Sequence, residues 1–268
     1  MAKNPIQDER RAAGPRWTAR HHPEPGSEAG RPAFYALAPG GWRDYVTLLH
    51  VPYTAWHLSY VAIGAALTPA FAWDRFLPTL AAFFLAVGIG AHALDELNGR
   101  PLATRIPDAV LVVLAGVSIA GAVAIGIVGA VTVSPWIAVF AAAGGFIVVA
   151  YNLELLGGRF HGDSWFALAW GAFPLATAYF AAAETLDLVV AAGAVAAFLL
   201  SRAQRLLSTP VRDVRRRVTA VEGRVERSDG SAEPVTVELL LRGKEAALRA
   251  LAGAAVTLAA ALVIMRVT

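Results

Sequence analysis

The residues of this sequence that could do chemistry lie at the ends of apolar segments, and four histidines stand out among them. These are His50, His57, His92 and His161. His50 and His57 are seven residues apart, which predicts one helix face and about 10 Å of axial separation. That separation favours different ligands for the two rings over a shared metal ion. His57 also lies about two turns inside an apolar segment, where polar groups are costly and usually functional.

Carboxylates and arginines accompany these histidines. His92, Asp95 and Glu96 are spaced for a single helix face. Other polar residues lie at or just after the ends of the second, fourth and sixth apolar segments: Asn98, Arg100, Tyr151, Asn152, Glu154, Arg159, His161, Asp163, Arg202 and Arg205. We predict that these residues form one polar site. Each of these residues, considered alone, is explained equally well as a helix cap or as a contact with lipid headgroups.

The mixture of imidazole and carboxylate groups predicts a metal site. The candidate ligands are His50, His57, His92, Asp95, Glu96, Glu154, His161 and Asp163. Carboxylates favour Mg²⁺ that bridges to substrate phosphates, whereas mixed sets suit Zn, Fe or Mn better. Mg²⁺ is the favoured ion, and the transition metals remain the alternative.

The elements that must position these residues are membrane helices. The chain is 57% hydrophobic and 16% charged, with a mean hydropathy of +0.54, and soluble domains are less apolar and more charged. We predict an all-α integral membrane protein of about seven transmembrane helices. The predicted spans are 45–67, 76–94, 109–131, 135–153, 164–182, 186–200 and 246–267. The absence of cysteine excludes disulfides, thiolate zinc sites and iron–sulfur clusters.

Charge distribution predicts the organisation and orientation of the chain. Residues 1–43 read as a disordered polar tail, 44–205 as a six-helix core, 206–243 as a basic loop or small hairpin, and 244–268 as the last transmembrane helix. A strand is predicted at 235–239, with a hairpin turn around 228–231. The basic residues of the tail and of the loops after even-numbered spans place the N-terminus in the cytoplasm of a multi-pass cell membrane protein. They predict contact with membrane lipids, and no nucleic-acid partner.

Two segments carry a resemblance to a known family. "GIGAHALDELNGRPLATRIP" resembles the first aspartate-rich motif of the UbiA superfamily of membrane prenyltransferases. Asp95 falls on one motif aspartate, and His92, Gly99 and the pair Arg100-Pro101 fall on neighbouring motif positions. "YNLELLGGRFHGDSWFALAWGAFPLATAYF" is similar to the fourth span exit and fifth span of that family. The resemblance covers about residues 44–205.

The resemblance implies a UbiA-like helix bundle and an enzyme that acts on an isoprenoid diphosphate. Asp95, Glu96 and His92 would be catalytic, and acidic residues would hold Mg²⁺. The substrate-binding residues would be Asn98, Arg100, Tyr151, Arg202 and Arg205. One alternative is a membrane enzyme that oxidises, desaturates or hydrolyses a lipid at a transition metal held by histidines and carboxylates. The other is a non-enzymatic transporter or lipid-binding protein whose histidines respond to pH.

Overall fold

The computed structural model describes residues 31–268, which are mostly helical. Its main helices are α1 (Trp42–Leu48), α2 (Val51–Ala66), α3 (Trp73–Leu97), α4 (Asp108–Thr132), α5 (Ile137–Asn152), α6 (Asp163–Ala183), α7 (Leu188–Arg217) and α8 (Val237–Val267). A helical turn, Leu155–Gly158, precedes α6. Two short antiparallel strands, β1 (Arg224–Glu226) and β2 (Ala232–Pro234), join α7 to α8.

Five of these helices are long and apolar enough to cross a membrane, namely α3, α4, α6, α7 and α8. Only 17% of the most apolar stretch of α4 is buried, and Val113, Val117 and Val131 are among its exposed side chains. Such apolar exposure suits a lipid environment and is unfavourable in water. The prediction of an all-α, membrane-embedded protein is confirmed at this level. The helix α5 is also apolar, but it is shorter, with 16 residues.

The first predicted span, 45–67, is wrong as a single helix. The chain leaves helical geometry at His50, whose φ is +45°, and α2 begins at Val51. Pro52 explains the break, because its ring would clash with the carbonyl of a preceding helical turn and it has no N–H to donate. His50 and His57 therefore do not share a helix face, which corrects the prediction made from their spacing.

The helices α7 and α8 extend well beyond the apolar segments that predicted them. The predicted span 186–200 is only half of α7, which continues to Arg217. Likewise, α8 begins at Val237, capped by the Thr236 side chain, which accepts a hydrogen bond from the Leu239 N–H. The predicted hairpin around 228–231 is confirmed, but the strand predicted at 235–239 is wrong because most of that segment is helical.

Close packing around α2 holds the bundle together. Trp56 and Tyr60 of α2 lie in one buried cluster with Leu175 of α6 and Leu248 of α8. A Cβ on Gly64 would lie 2.2 Å from the Leu175 carbonyl oxygen, so only glycine permits this approach of α2 to α6. Where α2 ends, the Arg266 Nε of α8 donates to the Ala66 carbonyl at 2.7 Å.

The last part of the predicted tail packs on the bundle, whereas residues 1–30 lie outside the described part of the chain. Ala33 and Ala36 are buried in a small cluster with Leu102. Guanidinium groups of α7 hold the backbone of this segment: Arg215 donates to the Arg31 carbonyl at 3.1 Å and Arg216 to the Pro32 carbonyl at 3.4 Å. Residues 31–41 therefore form a strap across one end of the bundle. We call this end of the bundle the basic end. We call the other end, where α7 begins, the opposite end.

Candidate functional site

Two π-helical segments interrupt α3 and α6, and each accepts a hydrogen bond from a histidine. Phe84–Ala91 lies in α3, where the Gly88 carbonyl accepts from His92 Nδ1 at 3.1 Å. Leu168–Ala172 lies in α6, where the Trp170 carbonyl accepts from His57 Nδ1 at 2.8 Å. Because a carbonyl only accepts, Nδ1 carries the proton in both rings and Nε2 is left as the second functional atom. π-Helical segments of this kind are frequent at functional sites.

A polar cavity of about 450 Å³ lies at the basic end, and we call it the polar chamber. It brings together most of the site residues that the sequence predicted. These are His50, His57, His92, Asp95, Asn98, Tyr151, Glu154, His161 and Arg205. The residues come from five different elements, so the fold gathers groups that are distant in the sequence.

The α7 face of the polar chamber was missed by the sequence analysis. Gln204, Ser208, Arg212 and Arg216 line it at spacings of four residues, in addition to the predicted Arg205. Tyr35 of the strap and Tyr53 of α2 also line the chamber. The helical spacing of residues 204–216 was the signal available for the α7 residues, but residues 206–243 were predicted to form a basic loop or small hairpin.

The arginines of the polar chamber differ in their partners. Arg205 donates from Nε to Asp163 at 2.9 Å. Arg212 donates to the Thr209 hydroxyl, and Arg216 to the Pro32 carbonyl. Within residues 31–268, neither Arg212 nor Arg216 has a carboxylate at ion-pair distance. Among the described residues, two guanidinium groups therefore face the chamber without a direct ion pair, although the Asp95 carboxylate lines the same chamber, and this arrangement suits an anionic ligand.

Two buried polar atoms of the chamber lack hydrogen-bond partners among the described residues. They are the Tyr151 hydroxyl and Gln204 Oε1, on side chains that are 5% and 2% exposed. A buried polar atom without a partner costs about 1–3 kcal/mol, so proteins rarely leave one unpaired. Their position next to the arginines indicates a place for a polar ligand group.

His50 and His92 form a stacked pair in the chamber wall. Their ring centroids are 3.9 Å apart and their planes differ by 16°, and the Tyr35 ring lies 5.3 Å from His50. Burial lowers the pKa of His50 well below its ordinary value of 6.5, and His92 adds to this effect. His50 is therefore neutral at physiological pH.

His161 is positioned by Tyr151. Its Nδ1 donates to the Tyr151 carbonyl at 3.0 Å, and its ring stacks on the Tyr151 ring at 4.5 Å. Its Nε2 lies 4.0 Å from a Glu154 carboxylate oxygen. His57, His92 and His161 therefore share one arrangement, with Nδ1 tied to a backbone carbonyl.

Four of the predicted catalytic, substrate-binding or metal-binding residues lie outside the polar chamber. The Glu96 carboxylate is buried and accepts from the N–H groups of Leu102 and Thr104 and from the Thr104 hydroxyl. Arg100 pairs with Asp108 and donates to the Ile106 carbonyl at 2.6 Å. These contacts close the loop between α3 and α4 and leave little capacity for a ligand.

Asp163 and Arg202 are the other two. Asp163 accepts from Arg205 and lies 3.7 Å from Arg202. It thus neutralises arginines and orients Arg205 from behind the chamber wall. In the described part of the chain, no three His, Asp or Glu side chains are placed to hold one metal ion. The metal site stays a prediction.

An apolar cavity of about 480 Å³ adjoins the polar chamber, and we call it the apolar chamber. The two share Val87 and Trp170. One face of α3 lines both, from Arg75 through Thr79, Ala82 and Phe83 to Val87, and then on to His92 and Asp95. On α6 the series runs from Phe166 through Trp170, Phe173 and Thr177 to Ala181. The two chambers therefore adjoin at Val87 and Trp170, which we call the junction, with the polar chamber at the basic end and the apolar chamber beyond it.

Comparison with known proteins gives no match to any family model, to any curated protein or to any solved structure. The resemblance to the UbiA superfamily thus stays a prediction from the motif residues.

Proposed function

We propose that this chain is a multi-pass cell membrane enzyme that acts on an isoprenoid diphosphate at the cytoplasmic face. The observation that carries the proposal is the junction of the polar and apolar chambers at Val87 and Trp170. A ligand that fits both needs a charged head and a long apolar tail. The seven helices α2 to α8 would span the membrane, with the basic end in the cytoplasm because arginines concentrate there.

In this proposal the diphosphate lies against Arg205, Arg212 and Arg216. A guanidinium group donates two parallel hydrogen bonds to phosphate oxygens, and Tyr151 supplies a further donor. Asp95 lines the chamber and would hold a Mg²⁺ ion, since Mg²⁺ is commonly bound by one or two carboxylates together with substrate phosphates. That ion would help to neutralise the leaving group.

The reaction would be transfer of the isoprenoid group. The bond between the allylic carbon and the diphosphate oxygen breaks, and the diphosphate leaves with the electron pair, stabilised by the arginines. An acceptor forms the new bond to that carbon and loses its proton to a base. His57 suits this role, because its ring lies beside Trp170 at the junction and its Nε2 is not protonated in the neutral ring.

Equilibrium binding to the purified protein tests the proposal. A prenyl diphosphate should bind much more tightly than the matching prenyl alcohol. Arg212→Gln and Arg216→Gln should each weaken diphosphate binding about tenfold or more, because a hydrogen bond to a charged group contributes about 1.5–3 kcal/mol. Arg242→Gln is the matched control, since Arg242 is exposed on α8 and lies outside both chambers. Equal affinity for the alcohol and the diphosphate would contradict the proposal.

A second candidate is a transition-metal enzyme that acts on a lipid. It is favoured by the three histidines whose Nδ1 atoms are tied to backbone carbonyls, because metal-ligating histidines usually donate their other N–H in this way. Elemental analysis of protein purified without added metal decides between the candidates. Stoichiometric iron, manganese or zinc that is lost in His57→Ala and His92→Ala would favour the metalloenzyme.

A further inference from the structure

The far end of the apolar chamber is bounded by charged groups. Arg75 lines the chamber there, and its guanidinium lies 3.6 Å from Glu184 and 3.5 Å from Asp74. It also donates to the Ala181 carbonyl at 3.4 Å, which ties α3 to the end of α6. A hydrocarbon chain that reached this point would displace water from paired charges, which is unfavourable. Arg75, held by Glu184 beside it, therefore bounds this end of the chamber, and we call the pair its floor.

The depth of the apolar chamber follows from its lining on α3. Val87 at the junction and Arg75 at the floor are twelve residues apart, which corresponds to about 18 Å of helix. An extended chain advances roughly 1.2 Å per bond, since three backbone bonds span about 3.3–3.6 Å. The chamber therefore accommodates about 15 bonds of an extended tail, or between three and four isoprene units at roughly four bonds each.

We propose that the apolar chamber is a length gauge that selects isoprenoid tails of three to four units, with the Arg75–Glu184 pair as its limit. This inference rests on the proposed function, since it specifies the tail of the same substrate. Selection would act against long tails above all. A tail gains little hydrophobic energy when it moves from lipid into an apolar chamber, so steric fit decides the preference.

Two neighbouring alanines of α3 allow a matched test of the gauge. Ala82 lines the apolar chamber five residues from Val87, about 7.5 Å below the junction. Ala81 is exposed on the outside of the helix and lines neither chamber. Ala82→Phe should shorten the chamber, whereas Ala81→Phe adds the same bulk on the outside and should leave it unchanged.

The experiment measures the affinity of the purified full chain for geranyl, farnesyl, geranylgeranyl and hexaprenyl diphosphate. The wild type should prefer the farnesyl and geranylgeranyl compounds, with hexaprenyl diphosphate bound at least tenfold more weakly. Ala82→Phe should move the preference to geranyl diphosphate and weaken geranylgeranyl binding at least tenfold, and Ala81→Phe should match the wild type. Arg75→Ala removes the floor and should restore hexaprenyl binding, which tests the gauge without filling the chamber.

The outcomes separate the gauge from the function on which it rests. Equal affinity of the wild type for all four diphosphates would overturn the gauge and leave the proposed function standing. Failure to bind any of them would overturn the proposed function itself. If Ala82→Phe does not fold, an unchanged length preference in Arg75→Ala overturns the gauge.

Discussion

The polar and apolar chambers differ in what their walls leave unsatisfied. Among the described residues, the polar chamber contains charged groups without a direct ion pair, such as Arg212, and buried polar atoms without hydrogen bonds, such as the Tyr151 hydroxyl. In the apolar chamber, charged groups occur at the floor, where Arg75 is already paired. The comparison indicates that the polar chamber would recognise a ligand by charge and the apolar chamber by shape. A single amphipathic molecule would use both.

The largest effect should come from breaking the ion pair between Arg215 of α7 and Glu245 of α8, which supports the α7 wall of the polar chamber. Arg215 and Glu245 are joined by two hydrogen bonds of 2.5 and 3.0 Å, and their side chains are only 3% and 6% exposed. Glu245→Ala leaves a buried guanidinium without its carboxylate, which should lower the free energy of unfolding by about 3–5 kcal/mol. Thermal unfolding of the purified protein measures this loss.

Arg212→Gln is the comparison on the same helix. Arg212 faces the chamber and has no carboxylate partner in residues 31–268, so this variant should unfold close to the wild type and lose diphosphate binding instead. A large stability loss in Arg212→Gln would show that the chamber arginines are structural. Arg212 would then resemble Arg215 in contributing to stability.

The second-largest effect should distinguish Glu96 from its neighbour Asp95 at the end of α3. Glu96→Gln should lower the free energy of unfolding by about 1.5–3 kcal/mol, because three donors of the α3–α4 loop lose a charged acceptor. Asp95→Asn should leave stability nearly unchanged and weaken binding of a prenyl diphosphate in Mg²⁺. Binding in the presence of EDTA provides the control. If Glu96→Gln loses binding while its stability is retained, the loop assignment of Glu96 is contradicted.

The polar chamber was largely predictable from the sequence, because charged residues in an apolar chain are conspicuous. His57, His92 and Asp95 were identified from their residue types and depth alone. Arg212 and Arg216 were missed because the end of the apolar run was taken as the end of the helix. Hydropathy reports where a helix leaves lipid, whereas α7 continues for nearly five turns beyond that point.

The apolar chamber was not predictable from the sequence. Its walls consist mostly of alanine, glycine, valine, isoleucine and phenylalanine, which also face lipid and form helix contacts elsewhere in the chain. Apolar spans fix depth, but the rotation of each helix depends on packing such as that at Gly64. The loop contacts of Glu96 were unpredictable for a related reason, since its three donors lie six and eight residues further along an irregular loop.

The contact between α4 and α5 at the apolar chamber gives a smaller, local prediction. A Cβ on Gly126 would lie 2.5 Å from the Ala141 Cβ, so Gly126→Ala should push α4 away from α5 and lower the free energy of unfolding by about 1–3 kcal/mol. Gly116→Ala on the same helix meets nothing within 4 Å and should be neutral or stabilising by about 0.5–1 kcal/mol. Equal thermal unfolding of the two variants would show that this wall is not tightly packed.

The smallest effect concerns the pH response of the polar chamber. Burial lowers the pKa of His50 well below 6.5, and His92, Arg216, Arg212 and His57 act in the same direction. Below about pH 6.5 the unfolded chain therefore binds a proton that the folded protein does not, and the free energy of unfolding falls as the pH falls. Above that pH both forms are neutral and the effect vanishes.

The variant His50→Gln should reduce this acid sensitivity, because glutamine carries no titrating group and is close to histidine in size. The measurement is the thermal unfolding midpoint of wild type and variant between pH 5 and pH 8, a range chosen at roughly 1.5 units on either side of the ordinary histidine value. The difference between the two unfolding midpoints should be constant above about pH 7. As the pH falls, the midpoint of the variant should rise relative to that of the wild type. Parallel curves would mean that the His50 ring is hydrated and titrates normally. The stacked pair that it forms with His92 would then not be buried in the chamber wall, and the polar chamber would be open to water at its centre.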